Sequence, residues 1–190
     1  MTGSFPFTKM QATGNDFVVV ARRDLPPGAG PDLAVAVCDR RRGVGADGLL
    51  VVGVAEDVEP AALRGVVPLS MTVWNADGSV SEMCGNGLRC VVRWGLEHGL
   101  LVEGEGRIGA ATGGVPYRVL GDDVEVTLAP PRILGPRRVA LDDRAVVGVC
   151  IDMGNPHFVV FDDAQDGPLP DLARWALAVE LHPSFPGRTN

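Results

Sequence analysis

Residues 85–98 read as a helix that cannot lie on a surface. Leu88, Val91, Val92 and Leu96 recur at helical spacing, and Cys90 and Trp94 widen the apolar surface until only Arg89, Arg93 and Glu97 remain as a polar stripe. Gly99 follows as the C′ stop. So narrow a polar face requires enclosure on most sides, and the rest of the chain offers strands to enclose it. Twenty-five glycines and fifteen prolines among 190 residues cut the sequence into short pieces. Strand patterns fall at 7–10, 17–21, 49–54, 69–74, 107–128, 146–153 and 158–161. Two further helices are expected at 32–42, with Asp32 as N-cap, and at 172–181. The expected class is α+β, an antiparallel barrel-like sheet wrapped around a central helix. Ala129-Pro130-Pro131 marks a boundary, giving a domain over 1–129 and a second region over 130–190.

Charge and composition remove several functions. The net charge is -7 and the arginine clusters at 22–23, 40–42 and 137–138 are short and scattered, which points away from nucleic acid. No stretch approaches the ~20 apolar residues of a membrane span. The start of the chain shows no positive region followed by an apolar run. Cys38, Cys84, Cys90 and Cys150 form no Cys-x-x-Cys pair, so a cytoplasmic protein with reduced thiols is expected. His98, His157 and His182 show no ligand spacing with them, so no metal is expected.

Chemistry concentrates at Met83-Cys84-Gly85-Asn86-Gly87-Leu88-Arg89. A cysteine immediately before a helix lies at the positive end of the helix dipole, which favours thiolate. Flanking glycines let a ligand approach the backbone, and the unpaired N–H groups of the first turn could hold a carboxylate. That combination suits removal of a proton from the α-carbon of an amino acid. The plain alternative is a small core cysteine followed by an ordinary glycine turn. Cys38, Cys90 and Cys150 lie inside apolar patterns and read as structural. The segment lacks the spacing of a nucleotide-binding loop.

Six segments taken in order resemble the diaminopimelate epimerases: Ala12-Thr13-Gly14-Asn15-Asp16-Phe17, Gly43-Val44-Gly45-Ala46-Asp47-Gly48, Trp74-Asn75-Ala76-Asp77-Gly78-Ser79, Met83–Arg89, Gly154-Asn155-Pro156-His157 and Phe185-Pro186-Gly187-Arg188-Thr189-Asn190. The resemblance implies two similar α+β domains with the substrate between them, and interconversion of LL- and meso-diaminopimelate on the way to lysine and peptidoglycan precursors. It implies no cofactor. The sequence agrees on pyridoxal phosphate, which needs a Schiff-base lysine, since Lys9 is the single lysine and sits in a strand pattern.

By the same resemblance, two cysteines face opposite sides of the substrate α-carbon, and Cys84 matches the first. Asn15, Asn75, Gly85, Asn86, Asn155 and Asn190 match substrate contacts, and His157 a histidine that tunes the thiols. Turn chemistry explains Asn75 and Asn155 equally well, and His157 could be an ordinary hydrogen-bonded histidine. Asp16 and Asp47 fit loop capping. The 190 residues contain no second Cys-Gly segment opening a second helix, so the chain is expected to be the front portion of such an enzyme, with an incomplete second domain. A homodimer or a complementary C-terminal half would then complete it. The competing readings are a non-catalytic fragment binding a diamino diacid or a partner chain, an isomerase of the phenazine-pathway type, and a thiol redox protein.

Overall fold

The computed structural model describes residues 4–54, 69–81, 83–111, 113–142, 144–161 and 172–190. The chain forms two compact units, residues 1–128 and 129–190.

In the first unit, strands β1 (Thr8–Ala12), β2 (Asn15–Ala21), β3 (Gly48–Val54), β4 (Leu69–Asn75), β5 (Val80–Ser81), β6 (Glu105–Ala110), β7 (Gly113–Leu120) and β8 (Asp123–Val126) share one sheet. Its order is β1-β2-β3-β4-β6-β7-β8, with β5 also on β4. Helices α1 (Pro31–Cys38) and α2 (Gly85–Glu97) complete the unit. Strand spacing of about 4.8 Å would put β1 and β8 roughly 29 Å apart in a flat sheet, yet α2 packs against both, and against β2, β3 and β4. The sheet is therefore curled around α2, as the apolar girth of that helix demands. It is mixed rather than purely antiparallel: β2 and β3 run parallel, joined through α1, and β4 meets β6 in parallel at Ser70 and Gly109.

Every residue of β3 is buried. Alternate side chains serve two cores, Leu50, Val52 and Val54 with Leu88, Val91, Val92 and Trp94 of α2, and Leu49 and Val51 with Leu33, Ala34 and Cys38 of α1. A strand buried on both faces reads as an unbroken apolar run, as Leu49–Val54 does. Gly95 lets α2 seat closely, since a Cβ there would come within 2.5 Å of the Leu69 side chain.

Helix α1 differs from the sequence expectation at both ends. Gly30 occupies the N-cap position and Pro31 opens the helix, so Asp32 lies in the first turn rather than at the cap. The helix stops at Cys38 because Asp39 leaves the helical conformation and its Oδ1 accepts the N–H groups of Arg41 (2.7 Å) and Arg42 (3.0 Å). Side-chain capture of neighbouring N–H groups competes with helix continuation.

The second unit pairs β9 (Arg132–Ala140), β10 (Ala145–Asp152) and β11 (Pro156–Val159) antiparallel in the order β11-β10-β9, with α3 (Leu172–Glu180). Its core gathers Val139, Val146, Cys150, Phe158 and Val179. The strand pattern missed β9 because Gly135 and Pro136 interrupt it. Proline lacks the N–H that a central strand needs, and an edge strand tolerates it.

Candidate active site

Cys84 is the N-cap of α2, extended at φ -143° and ψ 98°, and its Sγ accepts the N–H of Gly87 at 3.3 Å. Its carbonyl accepts the Leu88 N–H at 3.0 Å, the first bond of the helix. The residue is half-buried, unlike Cys38, Cys90 and Cys150, which are buried. Burial pushes the Cys90 thiol up to about 11 and raises that of Cys38. Gly87 sits tightly, since a Cβ would lie 3.1 Å from Leu50 and 3.2 Å from the Met71 sulfur, and those side chains would have to give by a few tenths of an ångström. At Gly85 the nearest neighbour to a Cβ is Leu128 at 3.7 Å, an ordinary contact, so packing in this unit does not demand glycine there.

The sheet register brings other residues of the set to the same end of the unit. Phe17, Gly48 and Asn75 stand in one row across β2, β3 and β4. Asn15 opens β2 two residues before Phe17, and β5 leads from that end toward Cys84. The Asn15 Oδ1 is buried and has no hydrogen-bond partner among the described residues. A buried amide oxygen ordinarily finds a donor, so an orphan calls for an explanation. Asn86 follows Cys84 by two residues, and its Oδ1 accepts from Arg89. Arg89 also donates to Thr13 Oγ1 at 2.7 Å, which ties the turn between β1 and β2 to the first turn of α2.

Asn75 is exposed and its amide is engaged in its own turn. Its Nδ2 donates to Ser79 Oγ at 2.9 Å, its N–H donates to the Ser79 carbonyl at 2.8 Å, and its carbonyl accepts the Gly78 N–H at 2.9 Å. Asp16 and Asp47 make a reciprocal brace, each carboxylate accepting the other's N–H at 3.1 Å. Arg40 reaches both carboxylates, at 2.7 and 2.8 Å, and Lys9 reaches Asp16 at 2.6 Å. Arg40, and then Lys9, holds the Asp16 carboxyl well below the usual carboxylate range. Lys9 is thus committed to a salt bridge at the loop that carries Asn15.

Within the second unit, Asn155, His157 and Asn190 gather at the start of β11. His157 Nε2 lies 2.9 Å from Asn155 Oδ1. Asn190 donates its backbone N–H (3.0 Å) and its Nδ2 (3.1 Å) to the Pro156 carbonyl, and its own carbonyl accepts the Phe158 N–H at 2.9 Å. A cavity of about 220 Å³ opens beside them, with Cys150, His157, Phe185 and Thr189 in its lining.

Arg89 and Thr13 join the site without having been singled out by sequence. Arg89 could have been found, three residues after Asn86 on the same helix, where side chains meet. Thr13 is 76 residues from Arg89, and no local pattern links them. Among the described residues no cluster of His, Cys, Asp and Glu could hold a metal ion, and no helix is long and apolar enough to cross a membrane.

Comparison with known proteins adds an independent line. The family model "Diaminopimelate epimerase" matches residues 7–134. The chain is 37% identical over 204 residues to a diaminopimelate epimerase of Moorella thermoacetica, covering 97% of this chain and 69% of that one. It is 35% identical over 209 residues to that of Geobacillus kaustophilus, covering 98% and 68%. Among solved structures, a hydroxyproline epimerase from Agrobacterium vitis superposes with a TM-score of 0.64 at 14% identity, over 94% of this chain and 54% of that one. A Bacillus anthracis phenazine biosynthesis protein of the PhzF family gives 0.53 at 17% identity, over 82% and 54%. At those identities the likeness is one of fold.

Proposed function

The chain belongs to the diaminopimelate epimerase family, and on that premise we propose that it supplies Cys84 as the first of two catalytic thiols that interconvert LL- and meso-diaminopimelate. The observation that carries this reading is the seat of Cys84. It is the half-buried cysteine of the four, it caps the enclosed helix α2, and a backbone N–H points at its sulfur. Negative charge on Sγ meets that donor and the positive end of the helix. In the step proposed, Sγ takes the proton from the substrate α-carbon, forming S–H as the C–H bond breaks, and an acid on the opposite face returns a proton.

Asn15, Gly85 and Asn86 serve as substrate contacts beside Cys84. The orphaned Oδ1 of Asn15 is an acceptor for a substrate ammonium, and the space over Gly85 suits close approach of a carboxylate to the backbone. Asn155, Asn190 and His157 are proposed to act at the same substrate from the second unit. Asn75 has the weaker case, because its amide is occupied within its turn.

The second acid is proposed to be none of the other three cysteines. Cys38, Cys90 and Cys150 are buried, and Cys90 shares α2 with Cys84. The test is incubation with LL-diaminopimelate in heavy water, following α-deuteration and meso product, for this chain alone and with a separately made C-terminal segment from a relative. Turnover that requires the added segment is the expected result. Turnover by the chain alone places the second acid within residues 1–190, and no exchange in either case from folded protein supports a binding fragment without catalysis.

A further inference from the structure

We propose that Arg89 is a positioning residue that fixes the polarity of the substrate site, an inference that rests on the reading of Cys84, Asn15 and Asn86 given above. The residue is half-buried and its guanidinium spans two elements, donating to Oδ1 of Asn86 on α2 and to Oγ1 of Thr13 in the turn between β1 and β2. Both bonds come from one nitrogen of the same fork.

The first bond decides which way the Asn86 amide faces. Arginine carries donors and no acceptor, so Asn86 can meet it only through oxygen. Its NH2 is thereby turned from the guanidinium and is left to donate; among the described residues it has no partner. Beside the first N–H groups of α2, a free amide donor complements a carboxylate.

The second bond holds the acceptor. Thr13 adopts φ 57°, a left-handed conformation uncommon for a β-branched residue, and Arg89 anchors its hydroxyl. Two residues on, Asn15 presents the buried Oδ1 that lacks a donor among the described residues. One guanidinium therefore sets a donor from α2 and an acceptor from β2 in fixed relation. A ligand carrying an ammonium and a carboxylate on one carbon matches that pair, and Cys84 caps α2 two residues before Asn86.

The test uses whichever form turns over in the exchange experiment, the chain alone or the chain with the added segment. Arg89→Met is expected to raise KM for diaminopimelate roughly tenfold or more, the scale of a hydrogen bond to a charged group, with kcat changed much less. Asn86→Ala raises KM similarly, and the double variant loses less than the two single losses combined, because one arm of Arg89 acts through Asn86 and only the arm to Thr13 remains to be lost. Arg89→Lys, which keeps the charge but loses the planar fork, gives an intermediate KM and serves if Arg89→Met does not fold. An unchanged KM in both Arg89 variants, or additive losses in the double variant, overturns the proposal while leaving the proposed function standing. Failure of the unsubstituted protein to turn over in either form overturns the function and this inference together.

Discussion

The two units cover their sheets differently. In residues 1–128 the central strands are buried on both sides, with α2 against one face and α1 against the other, and Val18, Val19, Leu49 and Leu50 have no exposed surface. Among the described residues of 129–190 the sheet has three strands and one packed core under α3, while Val147 of β10 is 56% exposed and Ile133 of β9 is 71% exposed. The difference bears on chemistry. A group that must transfer a proton, as proposed for Cys84, needs its position fixed to a fraction of an ångström, and Cys84 caps the most enclosed of the described helices. Asn155, His157 and Asn190 are held by backbone pairing at the end of β11.

The largest expected effect tests that division of labour. Cys84→Ala lowers α-proton exchange by about a hundred- to ten-thousandfold, the usual weight of a catalytic acid or base, with the fold retained and the melt lowered only by the loss of the cap on the Gly87 N–H, about 0.5–2 kcal/mol. His157→Gln lowers it far less. A deeper loss from His157→Gln than from Cys84→Ala would move the chemistry to the second unit and reverse the comparison. Next come the cores. Leu88→Ala, fully buried between sheet and α2, costs near the top of the ~2–5 kcal/mol range for such truncations. Phe158→Ala falls at or below the bottom of its ~3–5 kcal/mol range, because its core is shallow. Urea unfolding followed by tryptophan fluorescence measures both; equal losses would show that the second unit is as tightly enclosed as the first.

How much of this was legible beforehand follows the range of the forces involved. The enclosure of α2 was readable from Leu88 to Glu97 because helical periodicity is local, and the cap at Cys84 because glycine and chain direction mark it. The strand β9 was not, since Gly135 and Pro136 mimic a loop and only pairing with β10 makes it a strand. The end of α1 was missed because a single carboxylate, Asp39, captures two N–H groups that a helical pattern through Arg42 would have used elsewhere. Asn15 was placed in the site by resemblance, yet its orphaned oxygen emerges only from burial. The bridge from Arg89 to Thr13 depends on the curl of the whole sheet and has no signature in either segment.

A smaller effect should follow acidification. The Asp16 carboxyl is held below its ordinary value of 3.8 by Arg40 and Lys9. A depressed folded value means that the brace contributes its full stabilisation above pH 3.8 and loses it as pH falls through the folded value. Unit 1 should therefore lose stability below that pH, and Asp16→Asn should flatten the dependence in urea midpoints taken from pH 7 downward. An unchanged slope in that variant would show that the brace adds nothing. Two ion pairs of the second unit, Arg132–Asp152 at 3.2 Å and Arg188–Glu180 at 3.7 Å, are largely exposed, and their removal is expected to change little.

The smallest effect is the sharpest test of the open face. Valine and threonine are nearly isosteric, so Val→Thr exchanges a methyl for a hydroxyl and asks only whether water can reach it. At Val51, 3% exposed between β3 and α1, the hydroxyl would be buried with its backbone neighbours already paired, and the cost is expected at about 1–3 kcal/mol. At Val147, 56% exposed, the same exchange should stay within about 0.5 kcal/mol of zero. Urea midpoints at constant m-value measure both. If Val147→Thr costs as much as Val51→Thr, something covers that face in solution, and the contrast between a doubly covered and a singly covered sheet no longer describes the protein.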